Sequence, residues 1–108
     1  MQRVYYAGAE FLMSDAGAVA LLDFAALIAG ASQSQRIAVP VVGEDGEPAL
    51  IQAIIGPASQ LVMIPAPSSV PDPDAGAFIA DLDSRSKQYR SATAVVGSDE
   101  TPDWDDLD

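Results

Sequence analysis

The chain has 108 residues, with 16 acidic side chains against five basic ones and a formal net charge of −11. That length fits one domain, and the field of so anionic a chain repels phosphate backbones and acidic bilayers, which argues against direct nucleic-acid or membrane binding. With neither cysteine nor histidine, disulfides, thiolate zinc sites, cysteine nucleophiles and imidazole bases are excluded; the residue set points away from an enzyme and requires no metal or cofactor.

In chain order, residues 3–6 (RVYY) and 10–13 (EFLM) are short aromatic and apolar runs separated by glycine. They predict a β-hairpin. The run from Asp15 to Gly30 follows, rich in alanine and leucine. It is too short for a bilayer span and is interrupted by Asp23, and Glu10 and Asp15 stand where a signal peptide requires cations. The run instead predicts a helix, capped at its start by Ser14 or Asp15 and closed by Gly30 in the left-handed conformation.

Leu21, Phe24 and Ile28 recur at helical spacing and predict the core-facing stripe. The opposite side carries Val19, Leu22 and Leu27 around Asp23. A helix apolar on both sides normally lies between two layers, so a second helix or a second copy of the chain covers that face. Val19, Leu22 and Leu27 are therefore the candidate self-association residues, and a homo-oligomer is expected. Asp23 sits at the rim of the seam, or pairs with Arg36 or Arg85.

The stretch QRIAVPVVGEDGEPALIQAII predicts a second hairpin, with Asp45-Gly46 as a type I′ turn. Pro40 lies within the first arm and predicts an edge strand or a bend there. The second arm, ALIQAII, is apolar on both faces, as expected of a central strand covered on both sides. After the breaker GPAS, QLVMIPAP resumes as a strand and completes an antiparallel three-stranded meander.

Residues 68–76 are a proline-rich connector ending the α+β core of residues 1–67. Residues 77–96 predict a second amphipathic helix with Phe78, Ile79 and Leu82 as its apolar stripe. The cation cluster SRSKQYR lies near its C-terminus, and SATAVV follows as a short strand. The fold expected is thus α+β: hairpin, alanine-rich helix, meander, amphipathic helix and acidic tail. Asp72, Asp74 and Asp83 occupy calcium-loop positions one, three and twelve, but the loop lacks glycine at six and glutamate at twelve. No phosphate-binding G-x-x-x-x-G-K-S/T motif occurs.

Residues 97–108 form the acidic tail. Trp104 and Leu107 are bulky anchors set among Asp103, Asp105, Asp106 and Asp108. Such a segment docks a basic, grooved protein partner, the charges raising the on-rate and the tryptophan supplying the anchor. Trp104, Leu107, Asp103, Asp105 and Asp106 are the candidate partner-binding residues.

Tyr5-Tyr6 in the first strand, the alanine-rich helix, the EDG hairpin and the GPASQL turn together resemble small acidic proteins of high-GC actinobacteria. The resemblance covers about the first two thirds of the chain. It implies a cytoplasmic bacterial protein and supplies no catalytic or ligand residues. The functional expectation is a non-enzymatic protein-interaction module that self-associates and docks a partner through its tail. The alternative is an acidic inhibitor or nucleic-acid mimic, phage-encoded or antitoxin-like, that blocks a basic site. A third reading places a small ligand between helix and sheet.

Overall fold

The computed structural model describes residues 1–58 and 60–98, with residues 91–98 as backbone alone. Five strands and two helices follow one another as β1 (Gln2–Tyr6), β2 (Ala9–Met13), α1 (Asp15–Gly30), β3 (Gln35–Val42), β4 (Pro48–Ile55), β5 (Leu61–Pro65) and α2 (Gly76–Ser98). The strands form one antiparallel sheet in the order β4-β3-β2-β1-β5. The fold is therefore α+β, with the two expected hairpins and the two expected helices.

The third strand of the expected meander lies elsewhere. β5 pairs with β1 over residues 61–65, on the far side of the sheet from β4. Adjacency in sequence suggested β4 as its neighbour, but the β1–β2 hairpin leaves the outer edge of β1 open, and β5 occupies it. As a result β4 is an edge strand, and its two apolar faces are not both covered: Leu50 is 68% exposed and Ile54 63%. SATAVV is not a strand either, because α2 continues through it to Ser98.

α1 forms as its sequence dictates. Ser14 is the N-cap, its hydroxyl accepting from the Gly17 amide at 3.1 Å. Leu21, Phe24 and Ile28 are buried, with Gly17, Ala18 and Ala25 beside them. The end differs from expectation. Gly30 stays in the helix, and the residue with positive φ is Ser32, at 55°.

α2 packs chiefly against α1, burying Phe78 and Leu82. The same stripe continues to Ser86, which is buried, and Tyr89, which packs on the core edge. Because α2 runs on past Arg90, the cation cluster is in mid-helix rather than at its C-terminus. There Arg85 pairs with Asp81 and Lys87 with Asp83, each one helical turn away.

The core face of the sheet presents Val4, Met13, Ile37, Val39, Val41 and Ile55 to the helices. A one-residue alternation turns the opposite set outward. Register also explains how three prolines are tolerated. The Gly43 amide donates to the Glu47 carbonyl at 2.7 Å, which makes that pair hydrogen-bonded and, by alternation, makes Pro40↔Leu50 and Val42↔Pro48 non-bonded pairs. Likewise the Ala66 amide donates to the Met1 carbonyl, so Gln2↔Pro65 is non-bonded. Each proline thus lacks a donor where no bond to its partner strand is due.

Pro40 therefore neither marks an edge nor breaks the β3–β4 ladder. Its imide nitrogen faces the β2 side, where β3 is registered only at Leu12↔Val42. The β3–β4 turn also differs from type I′. Among its residues only Gly46 has positive φ, at 83°, and the Gly46 amide donates back to the Gly43 carbonyl. This is a type I turn closed by a left-handed glycine, the three-residue hairpin loop.

Candidate functional site

The apolar side chains that the outward parity leaves exposed are Tyr5 on β1, Leu50 and Ile54 on β4, and Val62 and Ile64 on β5. Tyr5 is registered opposite Val62, Arg3 opposite Ile64 and Arg36 opposite Ile54. An apolar surface flanked by two arginines is unusual company in a chain of net charge −11. Its origin is the packing of both helices on the opposite face of the sheet, which leaves the outward parity without a covering layer.

Between the ends of β1, β4 and β5 this surface deepens into a cleft of about 610 Å³, within the range of ordinary ligand pockets. Tyr5, Ile54, Pro57 and Val62 supply apolar walls, Ser34 and Gln60 the polar rim, and among the described residues no charged side chain lines it. The cleft is closed at one point by Tyr6, whose hydroxyl donates to the carbonyl oxygen of Ile54. β1 and β4 are three positions apart in the strand order, a separation of about 14 Å in a flat sheet and longer than a tyrosine side chain. The sheet is therefore curled, with its β4 edge bent back toward the end of β1.

The floor is the β1–β2 turn. Ala7 and Gly8 have φ of 53° and 82°, the two positive values of a type I′ hairpin turn. Glycine adopts this freely, whereas alanine at the first position carries strain of about 1 kcal/mol. A second close approach fixes the wall: a Cβ on Gly56 would lie 2.5 Å from the Ser34 hydroxyl oxygen.

Chemically the cleft can hold an apolar or aromatic group and hydrogen-bond it at the rim. It brings together no acid–base pair. Between α1 and β5 the space beside Val4, Leu21 and Met63 is only about 10 Å³, about the room of a single water, whereas an open, shallow groove of about 370 Å³ lies further along, between Leu22, Ala25, Ala26 and Ala29 of α1 and Gln60 and Leu61.

Val19 and Leu22 are exposed on α1, and Leu27 is half-buried. α2 therefore packs on α1 without covering the Val19–Leu22 face. Asp23 is exposed, and no ion pair joins it to Arg36 or Arg85 among the described residues. Arg85 instead donates to the Gln35 side chain at 2.8 Å and to the Arg36 carbonyl. The calcium-loop acids are dispersed: Asp74 accepts from the Gly76 amide at the start of α2, and Asp83 binds Lys87. Asp103, Trp104, Asp105, Asp106 and Leu107 lie outside the described residues.

Sequence reasoning missed the cleft. Its one legible signal is the apolar parity of residues 50, 54, 62 and 64, of which the pair on ALIQAII carries the expectation of a strand covered on both sides. No helix is long and apolar enough to cross a membrane among the described residues. The chain matches no protein-family model, no curated protein and no solved structure.

Proposed function

We propose that the chain is a non-enzymatic protein-interaction module that binds a partner segment through the cleft and the apolar sheet face around it. The observation that carries this reading is the exposure of Tyr5, Ile54 and Val62 in the cleft, with Leu50 and Ile64 exposed further along β4 and β5. Exposed apolar side chains gathered at a cleft are a usual mark of a protein contact. Self-association belongs to the same proposal, through the smaller α1 face of Val19 and Leu22 with Leu27 at its flank. The acidic tail completes it: Trp104 and Leu107, with Asp103, Asp105 and Asp106, dock a basic, grooved protein. A cytoplasmic bacterial setting is part of the proposal and rests on the resemblance alone.

The test is sedimentation across micromolar concentrations for the full chain beside Leu22→Lys and Leu50→Lys. Self-association that is lost in Leu22→Lys and kept in Leu50→Lys assigns the seam to α1. A full chain that stays monomeric throughout removes self-association from the reading. For the partner, affinity capture with the full chain, Leu50→Lys and a version ending at Gly97 separates the sheet face from the tail. Capture that is identical for all three overturns both docking surfaces.

A further inference from the structure

We propose that the cleft is the docking site of the chain's own C-terminal segment, residues 99–108, with Trp104 seated between Tyr5, Ile54 and Val62 and the neighbouring acids facing Arg36. The proposal rests on the cleft being a docking surface, as above, and names its first occupant. Its consequence is self-capping: an outside partner must displace the segment.

Charge is the first argument. Arg3 pairs with Glu10, Arg85 with Asp81 and Lys87 with Asp83. Arg36 is exposed beside Ile54 at the cleft, and among the described residues no carboxylate pairs with it, although the chain holds 16 acids. Asp99, Glu100, Asp103, Asp105, Asp106 and Asp108 all fall within the last ten residues. Arg90, on α2, is likewise exposed and without an ion pair among the described residues, so two cations are left for the acids, and Arg36 is the one that borders the apolar cleft; the most acidic segment carries the apolar anchor.

Reach is the second. The Gln35 side chain donates to the Tyr89 hydroxyl at 2.8 Å, which sets α2 beside the end of β3 registered with Ile55 and Ile54. Nine further helical residues carry the backbone about 14 Å to Ser98. The six residues from there to Trp104 span up to about 20 Å, more than the about 14 Å of helix that they must retrace to reach the level of Gln35 and Ser34. A tether this short gives an effective concentration on the order of millimolar, so a weak intrinsic affinity suffices to fill the site.

Trp104 is the only tryptophan, so its emission reports on this contact alone. The experiment compares emission maximum and acrylamide quenching for the full chain and a free peptide of residues 99–108, at a concentration where sedimentation gives monomer. The expected result is a blue-shifted emission and several-fold weaker quenching in the chain. Ile54→Lys and, independently, Val62→Lys should return both values to those of the peptide, with the fold checked by circular dichroism. Arg36→Glu should weaken the protection, and added salt should do the same.

Peptide-like emission from the full chain overturns the proposal. So does protection that survives both cleft substitutions in folded chains, or protection that grows only as concentration rises, which would seat the segment on a second copy. Failure of the self-association reading leaves these measurements unchanged. Capture of an outside partner at the cleft with an unprotected Trp104 would keep the docking surface and discard its internal occupant.

Discussion

The hydroxyl of Tyr6 donates to the carbonyl oxygen of Ile54, tying the end of β1 to a strand three places away in the sheet. The alternation set by Gly43 and Glu47 turns the Ile54 carbonyl away from β3, so this is an edge acceptor that would otherwise face solvent. Tyr6→Phe should cost about 1 kcal/mol, the net value of one such bond. Urea denaturation measures it. A loss below the error of the midpoint would mean that the curl is held by packing alone.

Two of the left-handed positions, Gly46 and Ala7, predict opposite signs. Gly46 has φ of 83°, and a β-carbon there meets only a Val70 methyl at 3.6 Å. Gly46→Ala should therefore destabilise by about 1–2 kcal/mol through backbone strain and not through a clash. Ala7 already carries such strain, and asparagine is the favoured residue at its turn position. Ala7→Asn should raise the denaturation midpoint, by about 0.5–1 kcal/mol.

Two glycines of α1 likewise separate helix propensity from space. Gly30 has nothing within 4 Å of a built β-carbon, and Gly30→Ala should stabilise by up to about 1 kcal/mol. At Gly17 the same methyl would lie 2.9 Å from the Ser14 hydroxyl oxygen and 3.2 Å from the Ala75 methyl. It would push the N-cap aside and lift the start of α2. Gly17→Ala should destabilise by about 1–3 kcal/mol despite the gain in propensity. A thermal melt of each variant decides the signs.

The Met1 amine and the Asp15 carboxylate lie 2.8 Å apart, with the Gln2 amide donating to the same oxygen. The hydrogen bond that the Met1 amine donates to Asp15 holds the amine above its ordinary value. The bond to the amine, and then that to Gln2, hold the Asp15 carboxyl below the usual carboxylate range. The carboxylate's contribution is present above about pH 4 and is lost as pH falls through the depressed value. The amine's contribution is present below about pH 8 and is lost as pH rises through the raised value. Asp15→Asn should therefore flatten both flanks of the stability profile and change it most between these limits. The Asp15 carboxylate is exposed, so the effect is small and should shrink further in high salt.

Much of the local structure was written in the sequence, because it depends on neighbours within a turn or two. Ser14 capping Gly17, the Leu21–Phe24–Ile28 stripe and the loop around Gly46 follow from side-chain oxygens, a 3.6-residue period and glycine's freedom at positive φ. The absence of cysteine and histidine likewise fixed in advance which chemistries the chain lacks. Strand order was not legible. β5 could pair with β4 or with β1, and alternation in LVMIP is the same in either place. That choice makes ALIQAII an edge strand and not a central one, and the packing of both helices on the other face of the sheet leaves Leu50 and Ile54 as contact surface. Only long-range packing makes it: the Tyr6–Ile54 bond, the single Leu12↔Val42 junction and the open edge of β1 join residues dozens of positions apart. The cleft exists because of those contacts, and no window of the sequence contains both of its walls.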